Sequence, residues 1–237
     1  PITATKTISA PGYYYLDWAG LKAASLTINA MDVHLCLNGA NIRAQTTITL
    51  KAGASLTICD CSEGQTGVIM TTRNTPVTIP ANTELTLFGG TVTGTYSPTV
   101  SKISVLVTGG TFNMYGGSVA NGCMEADSAT YSDTEAYGKN IKLTAGKVNI
   151  LGGAVKNGGI YAAVNGLTIG GNAKIDHVYL KGAQLTLSTE KPFTGSCGVT
   201  LLEGTVIAVT QTDVSALFTT TQGQISWNSD SKELYIA

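Results

Sequence analysis

The densest set of side chains that could do chemistry lies between residues 120 and 140, in the stretch ANGCMEADSATYSDTEAYGKN. Four carboxylates and two phenols occur there, those of Glu125, Asp127, Asp133, Glu135, Tyr131 and Tyr137. Hard cations take several oxygen ligands from a flexible loop, so the four carboxylates are candidate ligands for Ca²⁺. The two tyrosines are candidate ligand-binding residues. The spacing lacks the glycine and the terminal glutamate of an EF-hand, and the alternative is a solvated acidic loop.

Cysteines in two neighbouring segments, VHLCL at 33–37 and SLTICDC at 55–61, form a second candidate site. Side chains alternate along a strand, so inward aliphatic residues in both segments would leave Cys36 and Cys59 pointing outward. These two thiols would then face each other across the strand spacing of about 4.8 Å, which permits a disulfide. The alternatives are free thiols used for packing, or a zinc site with the ligands His34, Cys36, Cys59 and Cys61. Five cysteines are an odd number, so the sequence leaves open the pairing among Cys36, Cys59, Cys61, Cys123 and Cys197.

Familiar catalytic patterns are not matched. The chain has no Asp-Asp pair and only two arginines, Arg43 and Arg73, each in or near a predicted turn. Its one acid–histidine neighbour is Asp176-His177, and consecutive residues of a strand face opposite sides. General acid–base catalysis needs both groups within reach of the same substrate, so the sequence disfavours catalysis.

These residues must be positioned by a repeat of apolar–Thr/Asn–apolar strands, often followed by Gly-Gly. The phrase occurs at 25–28, 55–58, 84–92, 111–119, 147–155, 166–171 and 184–187. Its first apolar residues are Leu26, Leu56, Leu85, Phe112, Val148, Leu167 and Leu185. A period near 20–30 residues that contains strands predicts a solenoid, in which each coil buries its apolar face on its neighbours. The Gly-Gly pairs suit corners that need positive φ or close approach.

The repeat also predicts one column of outward polar side chains, one from each coil. Its members are Thr27, Thr57, Thr86, Asn113, Asn149, Thr168 and Thr186. Such a column suits sugar hydroxyls or ordered water, and the alternative is that threonine simply favours the exposed side of a strand.

The ends of the chain lack the repeat and are predicted to close the solenoid, because an open end exposes unpaired backbone. Residues 1–24 are predicted to be an N-terminal cap, with an aromatic turn and short helix in YYYLDWAGLKAA. Residues 25–210 are the predicted coils of a single domain. Residues 211–237 are predicted to be a C-terminal cap, in which GQISW and KELYI form a hairpin around NSDS.

Composition excludes several classes of partner. Net charge is −1 and no Lys/Arg run occurs, so nucleic acid and anionic membranes have no electrostatic basis for binding. No apolar stretch reaches the roughly 18–20 residues of a membrane helix, so no membrane insertion is expected. The start at Pro1, without a charged and apolar leader, favours a mature piece of a secreted or cell-surface protein.

Residues 34–69 and 109–122 resemble the β-helix modules of large adhesin-like surface proteins from gut Firmicutes and related anaerobes. The matching pieces are LCLNG at 35–39, LTICDCSEG at 56–64, FNMYGGSVANG at 112–122 and the ending LFTTTQGQISWNSDSKELYI at 217–236. The resemblance implies an all-β, right-handed parallel β-helix of pectin-lyase-like fold, without an assigned catalytic set. The chain departs from these modules in its acidic insertion and in losing regular coils after about residue 160.

The resemblance and the residues together predict a non-catalytic, adhesin-like module for a glycan or a host or bacterial surface protein. One alternative is a polysaccharide lyase or glycosidase acting on acidic polysaccharide. Lyases of this fold use Ca²⁺ held by carboxylates beside an Arg or Lys, and hydrolases use clustered Asp residues. The other alternative is a structural spacer within a larger surface protein.

Overall fold

The computed structural model describes residues 6–17, 21–22, 25–44, 48–71, 75–94, 103–120 and 140–237. These residues form an all-β structure with 25 strands and two single-turn 3₁₀ helices, Glu63–Gln65 and Ser215–Leu217. Neither helical turn in this part of the chain is long and apolar enough to cross a membrane.

The strands are named in chain order. The first twelve are β1 (Lys6–Ile8), β2 (Gly12–Tyr15), β3 (Leu21–Lys22), β4 (Leu26–Ile28), β5 (Val33–Cys36), β6 (Asn41–Ala44), β7 (Ile48–Leu50), β8 (Ser55–Cys59), β9 (Val68–Thr71), β10 (Val77–Ile79), β11 (Glu84–Leu87) and β12 (Thr91–Gly94). The others are β13 (Val105–Met114), β14 (Ser118–Ala120), β15 (Ile141–Ile150), β16 (Ala154–Lys156), β17 (Ile160–Ala162), β18 (Leu167–Ile169), β19 (Lys174–Lys181), β20 (Leu185–Leu187), β21 (Ser196–Glu203), β22 (Val206–Val209), β23 (Phe218–Thr219), β24 (Ile225–Asn228) and β25 (Glu233–Ile236).

Parallel pairing joins the strands into three ladders, and the chain visits them in turn. The first ladder is β1, β4, β7, β10, β13, β15, β17, β19 and β21. The second is β2, β5, β8, β11, β13, β15, β18, β20 and β22. The third is β3, β6, β9, β12, β14, β16, β19, β21 and β23. This large, mostly parallel arrangement is consistent with the predicted β-solenoid.

The apolar core lies at the inward positions of the ladders, where register stacks one aliphatic or aromatic residue on the next. In the second ladder the buried series is Leu56, Leu85, Phe112, Val148 and Leu167, each at most 1% exposed. The inner strands of the ladders pair with coils on both sides and stack their buried side chains on those of the next coil, so no coil buries its apolar face alone.

Glycines form the corner between the second and third ladders. Gly90, Gly117 and Gly153 have φ values of 78°, 69° and 76°. A Cβ on Gly117 would lie 2.5 Å from the Gly90 carbonyl oxygen, so a side chain there has neither an easy backbone conformation nor space. The predicted Gly-Gly corners are present at these positions.

The predicted hairpin is present at the C-terminal end. β24 and β25 pair antiparallel, and β25 also pairs antiparallel with β22. The hairpin therefore covers the last strand of the second ladder and protects its edge.

The start of the chain differs from the predicted cap in its local structure. The segment around Gly12–Tyr15 forms strand β2, paired with β5, where a turn and short helix were predicted. β1 and β3 likewise pair in parallel with β4 and β6, so the described residues before 25 form a first coil.

The predicted repeat register is wrong at its first member. SLTI at 25–28 lies in the first ladder, whereas Val33 takes the equivalent position in the second ladder and pairs with Leu56. The identical phrase at 55–58 suits either ladder, because strand alternation carries no information about which sheet a strand joins. The outward column therefore runs through His34 and Thr57, and Thr27 lies outside it.

Candidate functional site

In the middle of the second ladder, neighbouring side chains of the outward polar column form hydrogen bonds with one another and with Glu84. Asn149 Nδ2 donates to Asn113 Oδ1 at 2.8 Å, and Asn113 Nδ2 donates to Glu84 Oε1 at 3.2 Å. Thr86 Oγ1 also donates to Glu84 Oε1, at 3.3 Å. Because these groups bond to one another from coil to coil, this part of the column stabilises the stack.

The second ladder opens at its C-terminal end. β18 and β20 pair over three residues, but β20 and β22 pair only where Leu185 lies opposite Ala208. Beyond that pair the segments 185–189 and 209–214 separate and leave a cleft of about 570 Å³ between them. Clefts of about 300–1,000 Å³ are typical of small-molecule sites.

We call this feature the terminal cleft. Its lining residues are Asn165, Gln184, Leu185, Thr186, Leu187, Ser188, Thr189, Pro192, Phe193, Val209, Thr210, Gln211, Thr212 and Val214. Hydroxyl and amide side chains alternate there with apolar ones, and none of these lining residues carries a charged side chain. An apolar lining with a few convergent polar groups is the usual composition of a binding pocket.

One wall of the terminal cleft, the loop 188–194, is held in place by neighbouring coils. The Gly171 amide donates to the Lys191 carbonyl at 2.8 Å, and the Thr194 amide donates to the Gly171 carbonyl at 2.8 Å. The Lys191 ammonium lies 4.8 Å from the ring centre of Tyr115, which stacks on Phe88 at 5.1 Å. The exposed aromatic pair thus supports this wall through a cation–π contact.

The opposite wall, 209–214, is held by the C-terminal hairpin. The Thr210 amide donates to the Lys232 carbonyl at 2.8 Å, and Trp227 Nε1 donates to the Thr210 carbonyl at 3.3 Å. Within the wall, Thr210 Oγ1 donates to the Thr212 carbonyl at 3.1 Å. Both walls are therefore fixed by contacts within the protein, and the terminal cleft is preformed.

A buried carboxylate organises a corner in the N-terminal half. The Asp60 carboxylate accepts hydrogen bonds from the amides of Gly39, Ser62 and Gly67 at 2.9, 3.0 and 2.5 Å. Burial alone would raise the pKa of Asp60, but these hydrogen bonds favour the charged form and the net pKa is lowered. A Cβ on Gly67 would lie 2.6 Å from this carboxylate, so the site requires glycine there. Its donors come from successive coils, which gives the carboxylate a structural role.

Among the alternatives that the sequence leaves open, the structure has a disulfide, but not between Cys36 and Cys59. Cys36 bonds to Cys61, with Cα atoms 6.3 Å apart, and Cys59 is a free thiol. Cys36 and Cys59 are register partners, as predicted from their alternation. Side chains of register partners run side by side and keep the strand spacing, whereas Cys61 lies beyond the end of β8 and can approach Cys36 from the corner.

The protein environment disfavours the thiolate form of the two remaining described cysteines. Burial raises the pKa of Cys197 to about 12. Burial and the neighbouring Asp60 charge also raise the pKa of Cys59. The described residues contain no group of three or more His, Cys, Asp or Glu side chains able to hold a metal ion, and the predicted zinc ligands Cys36 and Cys61 are bonded to each other.

Asp176 and His177 have separate partners. The Asp176 carboxylate accepts from the Asn157 amide at 2.6 Å, whereas His177 Nε2 lies 2.8 Å from Thr200 Oγ1. Burial lowers the pKa of His177, with partial compensation from Asp176, which favours the neutral imidazole. The pair lacks the shared hydrogen bond of an acid–histidine dyad.

The other predicted site residues fall outside the part of the chain that the structure describes. The calcium candidates Glu125, Asp127, Asp133 and Glu135 and the ligand candidates Tyr131 and Tyr137 lie within residues 121–139. Cys123 lies there as well. These assignments remain predictions.

A scan against protein-family models finds no match, and searches of curated proteins and of solved structures find no match either. The terminal cleft was missed by the sequence analysis except for Thr186. The available signal was the uncharged, hydroxyl-rich run AVTQT at 208–212, close to the end of the repeat.

Proposed function

We propose that this chain is a non-catalytic binding module with a right-handed parallel β-helix fold, part of a secreted or cell-surface adhesin-like protein. The observation that carries the proposal is the terminal cleft, which is preformed, uncharged and lined by hydroxyl, amide and apolar side chains. The Cys36–Cys61 disulfide supports an oxidising, extracytoplasmic location.

The enzyme alternative receives less support from the same residues. Hydrolysis of a glycosidic bond requires two carboxyl groups facing the substrate, and the terminal cleft has no carboxyl group among its described lining residues. The one described histidine with a lowered pKa, His177, bonds to Thr200 away from this cleft.

A glycan array run with and without Ca²⁺ tests the proposal, together with an assay for products from polygalacturonate. We expect binding without product formation and loss of binding when Thr186→Trp fills the terminal cleft. Thr57→Trp, on the same outward column but outside the cleft, is the matched control. Release of oligosaccharide products would favour the enzyme, and silence on the array under both conditions would favour the spacer.

A further inference from the structure

The terminal cleft has hydrogen-bonding groups that the protein itself does not use. Among the described residues, no hydrogen bond engages the side chains of the lining residues Gln184, Thr186, Thr189, Gln211 and Thr212. These groups comprise three hydroxyls and two primary amides, each of which can donate and accept. In the middle of the same ladder, Asn113 and Asn149 are bonded to each other.

Several backbone groups of the cleft walls are already hydrogen-bonded within the protein. The Ser188 amide donates to Ile169, the Thr210 amide donates to Lys232, and the Thr210 carbonyl accepts from Trp227. Addition of an extended peptide strand relies on free main-chain groups at a sheet edge. The free hydroxyls and amides on the five side chains add donors and acceptors that a peptide backbone does not need, which suits a ligand recognised through its own hydroxyls.

The uncharged character of the described lining residues narrows the class of ligand further. Acidic sugars and phosphorylated groups are usually recognised by arginine or lysine, and neither residue type is among the described residues that line the terminal cleft. Leu187, Phe193 and Val214 add apolar surface, which suits the C–H face of a sugar ring.

Building on the proposed function, we infer that the ligand of the terminal cleft is an uncharged oligosaccharide, bound by the free hydroxyls and amides of both walls. The cleft volume of about 570 Å³ limits the bound part to a few sugar units. The acidic polysaccharides expected of the enzyme alternative are poor ligands for this site.

The test is a titration of the ¹⁵N-labelled protein, followed by NMR, with maltotriose, cellotriose, xylotriose, trigalacturonate and an acetylated Val-Thr-Val-Thr peptide. We expect at least one neutral trisaccharide to shift the amide signals of 184–189 and 209–214, with trigalacturonate and the peptide silent. The double variant Gln211→Leu/Thr212→Val should weaken binding at least tenfold without changing Tm, whereas Thr57→Val should bind as the parent does.

Each contrary result has a distinct meaning. Shifts of the same signals by the peptide or by trigalacturonate alone would overturn the neutral-sugar inference and leave a binding module. If the double variant binds the sugar as tightly as the parent does, these side chains do not form the binding site, and the inference is overturned. A complete absence of shifts in the terminal cleft with every probe would overturn both the inference and the proposed function.

Discussion

The middle and the end of the second ladder consist of similar strands, but their hydrogen bonds are arranged differently. β11, β13 and β15 pair over four residues, and the polar side chains outside them bond to one another. β20 and β22 keep a single pair, and the hydroxyls and amides beside it line a cleft. An outward polar column is therefore a stabilising feature where coils stay in register. It becomes available to a ligand where the coils separate.

The largest expected loss of stability comes from Asp60→Ala in the N-terminal half. The substitution leaves three backbone amides without an acceptor, and unmet buried donors cost about 1–3 kcal/mol each. We expect the free energy of unfolding to fall by about 4 kcal/mol, measured by urea denaturation. Asp230→Ala, at the exposed tip of the C-terminal hairpin, is the control and should change it by less than about 0.5 kcal/mol. Equal losses of unfolding free energy in the two variants would show that the Asp60 carboxylate has no structural role.

The disulfide gives the next largest effect. Cys36 and Cys61 are 25 residues apart, and closing a loop of this size stabilises a protein by about 3 kcal/mol in the chain-entropy model. Cys36→Ser should therefore lower the free energy of unfolding by about that amount. Peptide mapping by mass spectrometry should recover Cys36 linked to Cys61. A peptide linking Cys36 to Cys59 would contradict the assigned pairing.

Acid should destabilise the protein through Asp60. Its pKa is lowered in the folded state, so the charged form stabilises the fold above the unfolded value of about 3.9, and that contribution is lost as pH falls through the folded pKa. Denaturation midpoints should decline below about pH 4. Asp60→Asn should be less stable at pH 7 and show a shallower decline. An equally steep decline in this variant would assign the acid sensitivity to other groups.

A smaller loss is expected in the middle of the second ladder. Asn113→Ala removes the hydrogen bonds to Asn149 and Glu84, each worth about 1 kcal/mol, so we expect a loss of about 1–2 kcal/mol. Thr168→Ala, in the same column without such a bond among the described residues, is the matched control. Similar losses of unfolding free energy in both variants would mean that the hydrogen bonds of the polar column contribute nothing beyond strand propensity.

The smallest change in stability is expected in the terminal cleft. Thr186 is exposed and its hydroxyl makes no bond within the described residues, so Thr186→Val should change the free energy of unfolding by less than about 0.5 kcal/mol. Ligand binding should weaken in the same variant. A large loss of stability would show that this end of the column is structural, like its middle.

Structural features that depend only on residues close together in the sequence could be predicted from local patterns. Strand alternation placed Cys36 and Cys59 on the same side, the Gly-Gly pairs marked corners with positive φ, and NSDS marked the hairpin. The correct disulfide partner depends on the direction in which the chain leaves β8, which alternation does not encode.

The terminal cleft could not be predicted in the same way. It arises because 185–189 and 209–214 separate after one pair, a property of the distance between two segments rather than of either sequence. SLTI at 25–28 and 55–58 shows the same limit, since identical residues lie in different ladders.

Residue-resolved amide hydrogen exchange tests the contrast between the two regions most directly. We expect the amides of Thr111–Met114 and Lys147–Ile150 to exchange slowly, near the rate set by global unfolding, because their strands pair on both sides. Thr189 and Gln211 line the terminal cleft, and their amides have no hydrogen-bond partner among the described residues, so they should exchange orders of magnitude faster. Uniform protection across both regions would show that the second ladder stays closed to its end, and that the terminal cleft is not open in solution.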